Sequence, residues 1–314
     1  VDARPKYISL GPFVPWLQLP KPISWDQVFG RSGPLILEIG FGRGEYLVRQ
    51  ALESPSDNFV GIEIGWISIR KLLRAIARQG IENIRVIQAD ARVALEWLFP
   101  QRSLAMIYSL FPCPWPKKRH HKHRLFSRDF LRLANSRLQV GGELMVVTDH
   151  QGYFQWILEQ SQRTGFISRV ERTGPIFETK YEKKWTELGQ REFFQLVFKK
   201  VEHIDIPQRE EISLNTHKVP EFCPDKLTLK GHKDGAVVEF KETLYDPDRQ
   251  KAMIRALVVE GALRQDFWVQ VVKRGDHWLI GPAKGCSLVP TLGVQKALDL
   301  VFEAISSQKS QKRG

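Results

Sequence analysis

Cysteine is scarce in this chain: Cys113, Cys223 and Cys286 are the three in 314 residues, far apart and odd in number. That excludes a disulfide framework and a cysteine-rich metal centre, and it points to a reducing compartment. Long apolar runs are missing too. No segment approaches the roughly 18 apolar residues of a membrane span, and the stretch from Val1 to Pro22 has five prolines and no apolar signal core. The expectation is a cytoplasmic protein without membrane contact. Internal repeats are absent, and the 26% of charged residues are too mixed in sign for a disordered polyelectrolyte beside 42% hydrophobic residues.

What is present in excess is positive charge, with a formal net charge of +12. Residues 1–202 hold 30 Lys and Arg against 20 Asp and Glu, whereas residues 203–314 hold 17 against 15, so the surplus belongs to the first part. Such a surplus suits a polyanionic partner bound through phosphate contacts and counterion release. A surface rich in ion pairs, of the thermophile kind, is the other reading.

The length predicts two domains. Short apolar runs at Leu35–Ile39, Phe59–Ile64 and Ile84–Ala89 alternate with helical periodicity around Tyr46–Leu52 and Ile67–Gln79. Leu104–Leu110, Gly142–Val147 and Phe193–Phe198 read as further strands, with a helix over Phe130–Leu138. The alternation predicts an α/β domain over residues 1–202, built on a mostly parallel sheet covered on both faces. Residues 203–218 read as a polar, Pro-interrupted linker. Beyond it, over 219–314, the pattern predicts a small α+β domain. Its antiparallel strands are Ala236–Leu244, Lys251–Glu260, Phe267–Lys273 and Trp278–Ile280, its turns lie at Lys233-Asp234-Gly235 and Gly275-Asp276, and an amphipathic helix from Thr291 to Ile305 closes it. The tail after it reads as frayed.

In an open α/β sheet, ligands lie beyond the carboxyl ends of the strands. After the first strand comes Glu38-Ile39-Gly40-Phe41-Gly42-Arg43-Gly44. The G-x-G-x-G spacing differs from the G-x-G-x-x-G that makes room for a pyrophosphate, which argues against a nicotinamide-dinucleotide dehydrogenase. An acid entering the loop suits a cationic ligand such as S-adenosylmethionine; a tight turn without a ligand is the plainer alternative. Glu63 ends the second strand, where a carboxylate can accept from ribose hydroxyls. Asp90 follows the third, where it can accept from an adenine amino group or cap the next helix.

The fourth strand runs into Phe111-Pro112-Cys113-Pro114-Trp115-Pro116 and then Lys117-Lys118-Arg119-His120-His121-Lys122-His123-Arg124. A stiff aromatic loop can hold a planar base, and the cations after it can hold phosphates. The basic stripe Arg70, Lys71, Arg74 and Arg78 lies along one side of a predicted helix and reads as a solvated face, with contact to a nucleic acid as the alternative. His120, His121 and His123 have no supporting acids or cysteines, so no metal is expected.

Cys113-Pro114-Trp115-Pro116-Lys117-Lys118-Arg119-His120, then Thr148-Asp149, then Thr179-Lys180-Tyr181-Glu182 stand in the order of the bacterial tRNA (guanine-N7)-methyltransferase family, which residues 5–200 resemble. The resemblance implies a class I, Rossmann-like methyltransferase fold with S-adenosylmethionine as methyl donor. It implies cofactor contacts from Glu38, Gly40, Gly42, Gly44, Glu63, Asp90 and Cys113. It implies tRNA contacts from Lys117, Lys118, Arg119, His120, Asp149, Thr179, Tyr181 and Glu182, and as target the variable-loop guanosine at tRNA position 46. Cys113 stands where the family carries a catalytic aspartate, and a thiol lacks a carboxylate's charge and its two acceptor oxygens, so that role does not carry over intact. Guanine N7 has a free lone pair and loses no proton on methylation, so an altered but active site is expected, with Asp149 and Glu182 accepting from the guanine edge. A weakened enzyme, a non-catalytic RNA-binding module and a methyltransferase for another RNA are the alternatives. Oligomeric state has no signature in the sequence.

Overall fold

The computed structural model describes residues 8–308. The first seven residues and the last six, most of the tail read as frayed, lie outside the described residues. The chain divides into two compact units, Val1–Arg209 and Glu210–Gly314.

In the first unit strands and helices alternate: α1 (Trp25–Phe29), β1 (Leu35–Ile39), α2 (Glu45–Glu53), β2 (Asn58–Glu63), α3 (Trp66–Gln79), β3 (Ile84–Gln88), α4 (Ala91–Trp97) and β4 (Leu104–Leu110). They continue with α5 (Arg128–Arg137), β5 (Leu138–Thr148), α6 (Gln151–Gln160), β6 (Phe166–Thr173), α7 (Lys180–Glu187) and β7 (Phe193–Lys200). The sheet order is β3-β2-β1-β4-β5-β7-β6. Neighbours among β1–β5 are parallel, and β7 runs antiparallel between β5 and β6. Leu37, Val60, Ile87, Ile107 and Val146 are fully buried in this sheet, because a parallel strand covered on both faces has no wet side. Sheet order reverses between β1 and β4, so the carboxyl ends of these two strands open a crevice where a ligand can sit.

The second unit contains β8 (His217–Val219), β9 (His232–Asp234), β10 (Ala236–Asp246), β11 (Lys251–Glu260), β12 (Leu263–Arg274), β13 (His277–Pro282) and α8 (Leu292–Ser306). Its antiparallel order is β8-β13-β12-β11-β10-β9. Val294, Ala297, Leu298, Val301 and Ile305 of α8 share a core with Ile254, Ala256, Val258, Phe267, Val269 and Val271. Thr291 caps α8 by accepting from the Val294 amide at 3.3 Å, and Glu260 accepts from the Gly293 amide at 2.9 Å.

Several elements depart from the pattern read in the sequence. Residues 203–218, read as a linker, have polar groups bonded within the unit on each side of the division. The Ile204 amide donates to Asn135 Oδ1 at 2.9 Å, and buried Arg137 donates to the Ile206 carbonyl at 3.2 Å. In the second unit Ile212 N donates to the Pro290 carbonyl at 3.0 Å and His217 pairs with Asp299 at 2.7 Å. Strand β5 starts at Leu138 rather than Gly142, and α1, α6, β6 and α7 are elements the pattern did not yield.

Candidate active site

The chain leaves β1 through three glycines in left-handed conformation, Gly40 at φ 73°, Gly42 at φ 58° and Gly44 at φ 79°. A side chain at any of them is strained. Gly44 also sits against α3, where an added Cβ would lie 2.6 Å from Leu72. It is therefore a packing residue at the start of α2, whereas Gly40 and Gly42 line a cavity of about 550 Å³. That size falls within the range of small-molecule sites.

Glu63 holds the loop from the end of β2. One of its oxygens accepts from the Gly42 amide at 3.2 Å, the other from the Ile64 and Gly65 amides at 2.8 and 3.0 Å. Asp90 does what a capping residue does, accepting from the Arg92 amide at 2.8 Å, and also lines the cavity. Both alternatives for Asp90 are thus compatible: a carboxylate fixed by its cap, with its second oxygen 3.5 Å from the Arg92 guanidinium, still lines the cavity.

Glu38 lies deeper. It is 2% exposed, and its Oε2 is buried without a hydrogen-bond partner. Burial, then the charges of Glu45 and Glu63, push its carboxyl up to about 8. It borders a smaller pocket of about 90 Å³ shared with Gly40, Gly42, Lys71, Thr179 and Tyr181. A buried acid with an unused oxygen fits a ligand bearing a positively charged group, which ionises the acid and pairs with it.

The opposite wall comes from β4 and the loop after it: Ser109, Leu110, Phe111, Pro112, Cys113 and Trp115 line the large cavity, joined by Lys122 and His123. Phe111 and Trp115 have φ of 54° and 45°, positions that non-glycine residues occupy only when their surroundings compel it. The compelling contacts are visible. Phe111 N donates to the Val147 carbonyl at 2.7 Å, and its ring meets Phe193 edge-on at 5.1 Å. Arg124 donates to the Pro114 carbonyl at 2.9 Å and covers the Tyr153 and Trp156 rings. At 5% exposure it pins the loop and is no phosphate ligand.

Lys117, Lys118 and Arg119 are exposed and His120 half-buried, and none of the four lines the large cavity. Lys122 and His123 do so instead. Residues Lys118–His123 form a 3-10 helix, whose three-residue turn sets His120 and His123 on one side, at 5.8 and 5.1 Å from the Trp115 ring. The His-x-x-His spacing could have signalled this in the sequence. Ser68, Arg92 and Ser109 also line the cavity; these single polar residues carried no sequence signal.

Glu182 corrects an expectation. It is 1% exposed, and its two carboxylate oxygens accept from the Phe177 amide at 3.0 Å and from the Glu178 amide, so none faces an incoming base. Its partner Thr179 caps α7 at 3.2 Å. Tyr181 is half exposed and lines both pockets. Asp149, just past β5, borders neither. No cluster of metal-ligating side chains occurs among the described residues, and no described helix is long and apolar enough to cross a membrane.

A sheet reversing at β1 and β4, with a glycine loop after β1 and acids at the carboxyl ends of β1, β2 and β3, is that of a class I methyltransferase whose methyl donor is S-adenosylmethionine. A family model described as "Putative methyltransferase" matches residues 32–195. The tRNA (guanine-N(7)-)-methyltransferase of Thermus thermophilus is 40% identical over 291 residues, covering 90% of this chain and 92% of that protein. The protein of the same name from Thermotoga maritima is 30% identical over 300 residues, covering 92% and 95%. That of Chlorobium phaeobacteroides is 42% identical over 183 residues, covering 58% and 90%. The chain belongs to the tRNA (guanine-N7)-methyltransferase family.

Proposed function

We propose that this chain transfers a methyl group from S-adenosylmethionine to N7 of the variable-loop guanosine, position 46, of tRNA. The observation that carries the reading is one cavity with two unlike walls: Gly40, Gly42, Glu63 and Asp90 on one side, and the aromatic and basic loop of Cys113, Trp115, Lys122 and His123 on the other. The first wall suits a nucleoside, the second a planar base on a phosphate chain.

When bound, S-adenosylmethionine supplies an electrophilic methyl carried on a sulfonium. Glu38 is assigned to its ammonium group, since that carboxyl has a buried oxygen without a partner. Glu63 is assigned to the ribose and Asp90 to the adenine amino group. Guanine N7 attacks with its own lone pair, so the protein need remove no proton in the step. Holding nucleophile and methyl in line contributes about 7 kcal/mol or more in well-oriented systems. Trp115 and His123 are assigned to the guanine plane, Lys122 to a phosphate, and Asp149 to the guanine edge. Cys113 fills the wall without acting as nucleophile or base. Glu182 serves the site indirectly, by fixing the loop that leads to Thr179 and Tyr181.

The test is unmodified tRNA with its position-46 guanosine replaced by 7-deazaguanosine. The reading expects unchanged tRNA binding and no methyl acceptance. Methylation equal to that of the ordinary tRNA would overturn it.

A further inference from the structure

Helix α3 presents Arg70, Lys71, Arg74 and Arg78 to solvent, and none of the four has a hydrogen bond or ion pair among the described residues. Some other surface arginines of the unit are paired, Arg169 with Glu171 at 2.8 Å and Arg172 with Glu192 at 2.8 Å, whereas Arg43, Arg102, Arg163 and Arg191 are exposed without an ion pair among the described residues but do not form a stripe on one helix. Helix α3, by contrast, contains no acidic residue. Arg70, Arg74 and Arg78 stand at successive i,i+4 positions, where like charges repel and weaken a helix. The stripe therefore costs the free protein stability, and an ion-pair surface does not account for it.

Its location gives a reason for that cost. Ile64, just before α3, lines the large cavity, and Lys71 lines the smaller one. Ile64 and Ile67 are 66% and 65% exposed and Trp66 41%, apolar surface fitted to an unstacked base or a ribose. The cations from Arg70 to Arg78 extend about 12 Å further along the helix. We infer that α3 is a second RNA-binding surface, on which the strand leaving the cavity lays its phosphates along Arg70, Arg74 and Arg78. The inference rests on the proposed RNA substrate and adds a surface apart from the basic loop after β4.

The test compares the full-length protein with the triple variant Arg70→Gln, Arg74→Gln, Arg78→Gln, measuring tRNA affinity against salt concentration. The variant is expected to bind tRNA more weakly by on the order of tenfold to a hundredfold, with the slope of log affinity on log salt reduced by about 2. S-adenosylmethionine affinity stays unchanged. Arg74→Glu guards against misfolding as the cause: its melting temperature is expected to hold or rise by about 1–2 °C while tRNA binding falls. A variant with wild-type affinity and slope overturns the inference and leaves the proposed function standing. A wild-type protein that binds no tRNA overturns both.

Discussion

Glu38 holds a carboxyl at about 8 because it is buried beside Glu45 and Glu63. A group raised in the folded state contributes stability that is complete below its unfolded value, here about 4.5, and is lost as pH rises through about 8. Pairing with a cation reverses the preference. S-adenosylmethionine affinity should therefore rise by up to about tenfold per pH unit below 8 and turn over above it as the ligand's own ammonium loses its proton, with proton release at pH 7 seen by calorimetry in buffers of different ionisation enthalpy. Glu38→Gln should flatten that rise, weaken binding by about tenfold to a hundredfold, and leave the ligand-free protein no less stable at pH 8. Cys113, exposed at the cavity, tests the absence of a general base: Cys113→Ala is expected to keep kcat within about tenfold, against the ~10²–10⁴ that a general base supplies. Glu38, Glu63 and Asp90 stood out in the sequence because each sits at or just past the carboxyl end of an apolar run. The burial of Glu182 was not, because nothing in Thr179-Lys180-Tyr181-Glu182 tells which way the acid turns.

At the scale of elements, the buried parallel strands were legible because both faces must be apolar. Edge strand β6, Phe166–Thr173, was not: most of its residues are exposed, so Ser168, Arg169, Glu171 and Arg172 interrupt any run. Helix α7 buries Glu182 alone and carries no apolar stripe to read. Helix α8 was legible from its stripe, but its close seating was not. An added Cβ at Gly293 would lie 2.7 Å from both Val258 and Glu260. Gly293→Ala is expected to cost about 1–3 kcal/mol, read as a lower denaturation midpoint, with S-adenosylmethionine affinity retained.

At the scale of the whole molecule, each unit has its own core, and the boundary matters for dissecting them. Ending the chain at Lys200 would remove the Ile206 carbonyl that accepts from fully buried Arg137. It would also remove the acceptor for Gln101 Nε2 at that same carbonyl, 3.1 Å away. A chain ending at Arg209 is expected to fold and bind S-adenosylmethionine like the full protein, whereas one ending at Lys200 should be less stable by about 2–4 kcal/mol. Denaturant titration of the two chains distinguishes them. The segment looked like a linker because it is polar and Pro-interrupted, but those polar groups are its attachments. The most direct test of the whole account is methyl transfer from labelled S-adenosylmethionine to unmodified tRNA, with the product mapped by cleavage at alkali-labile 7-methylguanosine. The account predicts label at the position-46 guanosine; binding of both cofactor and tRNA without any label would contradict it.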